Sequence, residues 1–384
     1  MRTIFNLSIW LMIFLSACSS SKVSVTKSST EPSLHFLDEW VIPFNSQFQQ
    51  TTIGGLSSID YNKGKDIYYI ISDDRSAINP ARFYQAQIIL EGNKIKNISF
   101  LSADTLRRYN GDWFPSFTQD PLQCPDPESL RYVPGQSQFI WASEGERLIN
   151  HNGKYILLDP AIYIADSTGK MIDSFSLPSN FKMSTGKVGP RRNGTIESLS
   201  LNRHHNMLYA CMEEPLYEDG ERAGTGDSTA WVRMIKFELD SKNPVYQFAY
   251  QIEPVVHSPI PSNAYRVNGV SEILYAGNKR MIVVERSWSA GQKPSNIKVY
   301  LTDHSEASDI SSFNSLIGEK FSPAKKTLLL DMDSLGMYID NIEGITFGPL
   351  LSNGNLSLLF ISDNNFNQEQ VTQILLFELK NFIF

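Results

Sequence analysis

The stretch Asn341-Ile342-Glu343-Gly344-Ile345, followed by Ser362-Asp363-Asn364, decides the fold because a similar pattern occurs five times along the chain. In each copy an acidic or Gly-bearing turn leads into a small-hydrophobic dipeptide, and a β-rich run then ends in another acidic residue. The other copies occupy residues 54–75, 126–145, 194–214 and 269–286. They recur about every 72 residues, and self-similarity at a fixed period is the signature of a repeat architecture.

Strand signals dominate between these copies, as in residues 66–71 and 138–142, where aromatic and β-branched residues are bounded by turn formers. Long helical periodicity is absent, although a short helix is expected over residues 309–317. Many short strands in a long-period repeat predict an all-β fold, a single closed β-propeller. Five units are visible, and a sixth, degenerate blade is left open. The excess length of each unit is expected in long connections, with residues 147–193 and 218–229 as the best candidates.

The N-terminus has the pattern of a lipoprotein signal in residues 1–18, where a short apolar core leads to Leu15-Ser16-Ala17-Cys18. An ordinary secretory peptide with a coincidental Cys is the alternative. The predicted mature chain begins at a lipidated Cys18, continues through a flexible tether at 19–33 and folds as one propeller domain over 34–384. We therefore expect a lipoprotein of the cell envelope, periplasm-facing or at the surface, with the membrane as a partner through its lipid.

The net charge of −7 and the absence of a Lys/Arg run argue against nucleic-acid binding, and we expect a monomer. Cys124 and Cys211 could pair in an exported protein or remain as free thiols, and both interpretations stay open. The sequence has no Cys-x-x-Cys spacing and no Gly-x-Ser-x-Gly elbow, which argues against zinc or redox chemistry and against a serine hydrolase of that type.

The repeated acids suggest two rings of carboxylates around the propeller channel. The first ring consists of Glu128, Glu197, Glu272 and Glu343, with Gly55 at the matching place in the first unit. The second ring consists of Asp73, Glu144, Glu213, Glu285 and Asp363. Carboxylates gathered around one axis repel one another, so hard cations, arginines or backbone N–H groups must offset their charge.

We favour a structural role for the first ring, in which each Glu bonds the backbone of the next blade, and a ligand site for the second ring. The opposite assignment stays open for each. All five members of the second ring are candidate catalytic residues, and Ca²⁺ is the expected cofactor because it prefers oxygen ligands. The candidate metal ligands are Asp73, Glu213, Glu285 and Asp363. The candidate substrate-binding residues, which offer guanidinium or amide groups to phosphate oxygens, are Arg75, Arg147, Arg286 and Asn364.

At these motifs the chain resembles the bacterial phytase-like family, also called esterase-like activity of phytase. The most specific match is Asp340-Asn341-Ile342-Glu343-Gly344-Ile345 with Ser362-Asp363-Asn364-Asn365-Phe366, and the resemblance runs from about Phe36 to Phe384. One departure is Ser198, where the family usually has Gly. The resemblance implies an exported β-propeller with phosphoric-ester hydrolase activity, related to phytases in which calcium ions in an acidic channel bind substrate phosphates.

Two functions therefore remain in view. One is a Ca²⁺-dependent phosphomonoesterase acting on a phosphorylated small molecule. The other is a non-catalytic propeller that binds a ligand or an envelope partner near the membrane. We expect a phosphatase site to bring the second-ring acids and at least three arginines into one cavity of about 300–1,000 Å³, the size of typical ligand sites.

Overall fold

Five four-stranded antiparallel sheets follow one another along the chain. The structure is a computed structural model that describes residues 31–384, except 152, 293, 383 and 384. Residues 32–384 make up one compact unit. The predicted signal, the lipidation site at Cys18 and tether residues 19–30 lie outside the described residues. Within the described part of the chain, no helix has the length and apolarity needed to span a membrane.

The strands are assigned to blades in chain order. The chain begins with β1 (Ser33–Ile42) and a small hairpin of β2 (Gln47–Phe48) and β3 (Thr51–Thr52). Blade 1 follows and consists of β4 (Leu56–Asn62), β5 (Ile67–Ser72), β6 (Arg82–Glu91) and β7 (Lys94–Thr105). Blade 2 consists of β8 (Pro127–Val133), β9 (Gln138–Ser143), β12 (Ala161–Asp166) and β13 (Met171–Ser174), and the hairpin β10 (Glu146–His151) and β11 (Lys154–Leu158) is inserted between its second and third strands.

The remaining blades contain no inserted strands. Blade 3 consists of β14 (Ile196–Leu201), β15 (Met207–Met212), β16 (Ala230–Glu238) and β17 (Pro244–Ile252). Blade 4 consists of β18 (Arg266–Tyr275), β19 (Arg280–Ser289), β20 (Asn296–Asp303) and β21 (Lys325–Asp331). Blade 5 consists of β22 (Asn341–Leu350), β23 (Leu356–Asp363), β24 (Thr372–Lys380) and the N-terminal β1. The described residues also form short 3₁₀ helices at Ser179–Phe181, Tyr217–Asp219 and Met332–Leu335.

The two ends of the domain close the ring by sharing blade 5. Strand β1 pairs antiparallel with β24, from Ser33 opposite Lys380 to Ile42 opposite Thr372. The inner strands β4, β8, β14, β18 and β22 contact their neighbours in sequence, and β22 contacts β4. The predicted closed propeller with adjacent first and last units is confirmed. The described residues form five blades, so the sixth that the sequence left open is not among them.

Apolar side chains between the blades make up the core. Between blades 1 and 2, the Phe139 ring lies 4.8 Å from Tyr69 and 4.6 Å from Phe83, measured between centroids. All three are almost fully buried, and burial of one such side chain stabilises the fold by roughly 1.5–3 kcal/mol. Strand β8 is buried along its whole length and contacts the inner strands of both neighbouring blades, β4 and β14.

Two expectations about the connections are wrong. The segment 309–317 is not helical, because Arg233, paired with Asp219 at 2.7 Å, donates to the carbonyl of Phe313 at 2.9 Å and holds the segment as a loop. The segment 147–193 includes strands β11, β12 and β13, so much of it belongs to blade 2 and its inserted hairpin.

Candidate functional site

Each inner strand contains a β-bulge near its start, and these bulges align the five blades. The register shifts between Leu56 and Ser58 in blade 1, between Ile196 and Ser198 in blade 3 and between Val270 and Glu272 in blade 4. The same shift occurs in blades 2 and 5. The equivalent bulged residues are Ser57, Glu128, Glu197, Ser271 and Glu343. In blade 4 the predicted ring member Glu272 therefore lies one residue too far along the strand, and Gly55 lies two residues before its blade's equivalent position.

The second strand of each blade ends beside the start of the first strand. The residues opposite the bulge starts are Ser72, Ser143, Met212, Glu285 and Ser362. The next residues are Asp73, Glu144, Glu213, Arg286 and Asp363. The four predicted acids are equivalent, but blade 4 contributes an arginine. Because a slip of one residue changes the face to which a side chain points, the placement of Glu285 in this ring is corrected.

Arg286 joins the two rings into one cluster. Its guanidinium donates to Glu213 at 2.8 Å and to Glu343 at 2.7 Å, and to the Asn341 amide oxygen at 2.5 Å. The side chain is 17% exposed, so the ion pairs are shielded but reachable from the channel mouth. The predicted structural ring and the predicted ligand ring are therefore not separate.

Glu144 lies at the centre of the acidic side of the cluster. Carboxylate oxygens of Asp126, Glu128 and Glu144 lie within 4.8 Å of one another, and the same holds for Glu144, Glu197 and Glu213. All five residues are buried. Such a set of oxygen ligands suits a hard divalent cation with flexible coordination. Of the four predicted metal ligands, only Glu213 belongs to these two groups.

Some carboxylates of the cluster accept hydrogen bonds from the backbone, and others accept none from the described residues. Glu144 accepts from the backbone N–H of Thr195 in the next blade at 2.8 Å, and Asp363 accepts from that of Asn365 at 2.7 Å. The carboxylates of Asp73, Glu128 and Glu197 accept no hydrogen bond from any residue in the described part of the chain. The first ring was predicted to bond the backbone of the next blade. In the structure Glu144, a member of the second ring, makes such a bond.

Burial and mutual repulsion make the cluster retain protons. Burial, and then the neighbouring Glu213, raise the pKa of Glu144 to about 7. Burial raises the pKa of Glu343 to about 8 although Arg286 opposes this effect. The pKa values of four further acids are also raised, first by burial and then by neighbouring carboxylates: Asp73, Glu128, Glu197 and Asp363. A bound cation would favour the charged forms instead.

Arg75 flanks the cluster on the side of blades 1 and 2. Its guanidinium lies 3.3 Å from Asp126 and 3.2 Å from Glu146, and its side chain is 25% exposed. Glu146 also binds Arg192 at 2.8 Å. Among the predicted substrate-binding arginines, Arg75 and Arg286 therefore contact the acidic cluster.

Two other predicted substrate-binding residues have structural partners. Arg147 donates to the carbonyls of Ser184 at 2.9 Å and Gly186 at 2.6 Å and stacks on Tyr217. These contacts direct it to a loop instead of the acids. The Asn364 amide oxygen accepts the N–H groups of Gly55 and Phe366, both at 3.1 Å, and so joins blade 5 to blade 1.

Glu285 and Glu272 of blade 4, which do not occupy their predicted ring positions, lie in different surroundings. Glu285 accepts from Tyr250 of blade 3 at 2.6 Å and from Lys326 of its own blade at 2.7 Å. Glu272 lies across the channel from Arg131 and accepts from it at 2.5 Å. Burial raises the pKa of Glu272 to about 7 although Arg131 opposes this.

A cavity of about 430 Å³ opens on the cluster between blades 3, 4 and 5, and its lining includes Glu213, Arg286, Asn341 and Asn365. Its size falls in the expected range. It contains one acid of the second ring and one of the arginines proposed for phosphate, so the three-arginine criterion is not met.

Some site residues were missed by the sequence analysis. Asp126 begins the Asp126-Pro127-Glu128 copy of the repeat and could have been found there, whereas Arg131 and Glu146 stand in no repeated pattern.

Cys124 and Cys211 are both buried free thiols, which settles the open question of their pairing in favour of two thiols.

Comparisons with known proteins give one family and several solved structures of low identity. The family described as phytase-like, esterase-like activity of phytase, matches residues 51–366, well over half of the chain. No curated protein matches the sequence significantly.

Several solved structures are similar to this chain at low identity. A thermostable family-43 glycoside hydrolase is 10% identical with a TM-score of 0.45, and the match covers 85% of this chain and 93% of that one. A periplasmic gluconolactonase of Pseudomonas aeruginosa is 10% identical with a TM-score of 0.33, covering 85% and 89%. Hydrazine synthase of Kuenenia stuttgartiensis is 12% identical with a TM-score of 0.35; the match covers 80% of this chain and only 64% of that one.

Proposed function

Because this chain belongs to the phytase-like family, we propose that it is an exported hydrolase of phosphoric monoesters that depends on a divalent cation, with calcium as the expected ion. The observation that carries the proposal is the group of five buried carboxylates around Glu144, flanked by Arg75 and Arg286. Acids that accept few hydrogen bonds and repel one another are costly to bury unless a cation or a function compensates.

The residues that would hold the cation are Asp126, Glu128, Glu144, Glu197 and Glu213. The fit rests on their oxygen chemistry, on their mutual proximity and on the absence of hydrogen bonds from described residues to the carboxylates of Glu128 and Glu197. When bound, a divalent cation would polarise a phosphoryl oxygen and lower the pKa of a bound water.

The protein's own groups would bind and orient the phosphate. Arg286 and Arg75 present guanidinium groups on two sides of the acids, and each is held in place by two carboxylates. Guanidinium groups make paired hydrogen bonds to phosphate oxygens. The cavity beside Arg286 gives solvent and ligand access to the cluster.

We further propose that the protein acts as a monomer anchored in the cell envelope by lipid on Cys18. This proposal rests on the Leu15-Ser16-Ala17-Cys18 pattern. A lipid anchor would hold the propeller at the membrane surface without a spanning segment.

The second candidate function is a non-catalytic propeller that binds a ligand or envelope partner. It is favoured by the structural engagement of Arg147 and Asn364, which leaves fewer groups for phosphate than the sequence predicted.

The two functions are separated by assaying 4-nitrophenyl phosphate and phytate with calcium and with a chelator. Calcium-dependent release of phosphate by the wild type, lost in Glu144→Gln, supports the hydrolase. No release under either condition, with calcium binding intact, supports the binding protein.

A further inference from the structure

A mainly apolar cavity of about 340 Å³ lies at blade 2, and its lining includes the neighbours in sequence of two acids of the cluster. Its apolar lining consists of Tyr109, Phe114, Leu122, Leu158, Tyr163 and Met171. The loop that covers it exposes large apolar side chains, with Tyr109 51%, Trp113 62% and Leu122 54% exposed. Large apolar groups left in water around a concave wall mark an interaction site more often than a packing defect.

The cavity and the cluster share a wall. Pro125 and Ser143 line the cavity, and the residues that follow them, Asp126 and Glu144, belong to the carboxylate group. The Ser143 hydroxyl accepts the N–H of Asp126 at 3.1 Å, which fixes the two wall segments against each other. Along both segments, the cavity lining is therefore one residue away from an acid of the cluster.

Arg75 stands beside this shared wall. Its backbone carbonyl accepts from the Cys124 thiol at 3.4 Å, and Cys124 lines the cavity. Its guanidinium lies 3.3 Å from Asp126 and 5.8 Å from the centre of the Phe117 ring. One side chain thus links the apolar loop to the acids, and a guanidinium in this place suits an anionic group attached to an aromatic one.

We propose that this cavity binds the aromatic, or similarly flat and apolar, part of the ligand whose anionic group is bound at the acidic cluster. The proposal rests on the proposed function in one respect: for a phosphomonoesterase, the bound part is the leaving group, and the preferred substrates are aryl phosphates. The cavity wall offers few polar groups, chiefly Arg108, Asn110 and Gln123 at one side. Arg108 and Gln123 bond each other at 2.6 Å. A polyhydroxylated leaving group would find little to bond there.

The binding test uses 1-naphthol, which has no phosphate, so that it does not depend on catalysis. Leu122→Trp and Leu158→Trp each add bulk at the cavity, one from the covering loop and one from β11. Leu328→Trp is the matched control because Leu328 is 49% exposed and lies on blade 4. Ligand-observed NMR titration should show binding to the wild type and the control, weakened at least about tenfold in both cavity variants. Absence of binding, or equal binding by all four proteins, overturns the proposal.

The activity test compares 1-naphthyl phosphate with methyl phosphate in the presence of calcium. The ratio of their kcat/KM values should favour the naphthyl ester in the wild type and fall about tenfold in the two cavity variants. If both esters are hydrolysed and the ratio does not change, the leaving-group role is wrong while the hydrolase stands. If naphthol binds at the cavity and neither ester is hydrolysed, the proposed hydrolase fails while the aromatic binding site is supported.

Discussion

Arg286 occupies in blade 4 the position that Glu213 occupies in blade 3, and its guanidinium donates to the Glu213 carboxylate at 2.8 Å. One arginine thus replaces a fifth acid in a ring of carboxylates. The same guanidinium reaches Glu343 of the neighbouring ring. The positive charge of Arg286 offsets part of the repulsion among the carboxylates, but the acids around Glu144 still outnumber the arginines beside them.

Arg286→Met should destabilise the metal-free protein strongly. The substitution leaves Glu213 and Glu343 buried without their partner, and loss of one member of a buried ion pair costs about 3–5 kcal/mol. Urea denaturation in a chelator measures the loss. Lys63→Met, at an exposed lysine, is the control and should change stability little; equal effects of the two substitutions would contradict the assigned role of Arg286.

The metal-free protein should lose stability as pH rises from 5 to 8. The folded-state pKa values of Glu144 and Glu343 are raised to about 7 and about 8, so the folded state holds more protons than the unfolded state over this window. Stability therefore falls with rising pH. Thermal melts in a chelator check the sign, and a rising melting temperature would show that the acids are charged without a metal.

Calcium should stabilise the protein more at pH 8 than at pH 5, because protons compete with the cation for the same carboxylates. A hundredfold excess over Kd stabilises by about 2.7 kcal/mol. Parallel melts with and without calcium measure the difference. Identical melts at pH 8 would indicate that arginines alone neutralise the cluster.

Glu144→Gln should abolish most of the calcium-induced shift, since Glu144 belongs to both carboxylate groups. It should also lower any calcium-dependent phosphatase activity by orders of magnitude. Glu285→Gln is the informative control. It should lower stability by disturbing the Tyr250 and Lys326 contacts but leave the calcium shift intact. The reverse pattern would favour the alignment predicted from the sequence.

Gly55→Ala should destabilise more than Gly92→Ala. Both glycines have positive φ, +59° and +63°, so both substitutions incur backbone strain of about 1 kcal/mol or more. A Cβ at Gly55 would also collide with the Asp73 carboxylate, whereas one at Gly92 would meet open space. The difference between their unfolding free energies isolates the collision, and equal losses would mean that Asp73 moves freely.

Cys18→Ala should release the protein from the membrane fraction if Cys18 carries the proposed lipid. Fractionation of cells followed by a high-salt wash makes the measurement. A variant that stays with the membranes after the wash would reveal a different anchor.

The sequence by itself determined the repeat, the strand content and the closed ring. Period and composition are local properties, and five similar units that each expose apolar faces can bury them only against one another. The pattern also identified the acids that occupy equivalent places in blades 2, 3 and 5, Glu128 with Glu144, Glu197 with Glu213 and Glu343 with Asp363.

Only the tertiary structure decided which acids meet. In blade 4 the motif Ser271-Glu272 resembles the other copies, but the bulge places Ser271 in the ring and turns Glu272 to Arg131. The register of one strand against its neighbour sets the side-chain direction, and spacing along the chain does not reveal it. Pairing of Arg286 with acids of two other blades likewise follows from closure of the ring, which brings residues far apart in sequence to one axis.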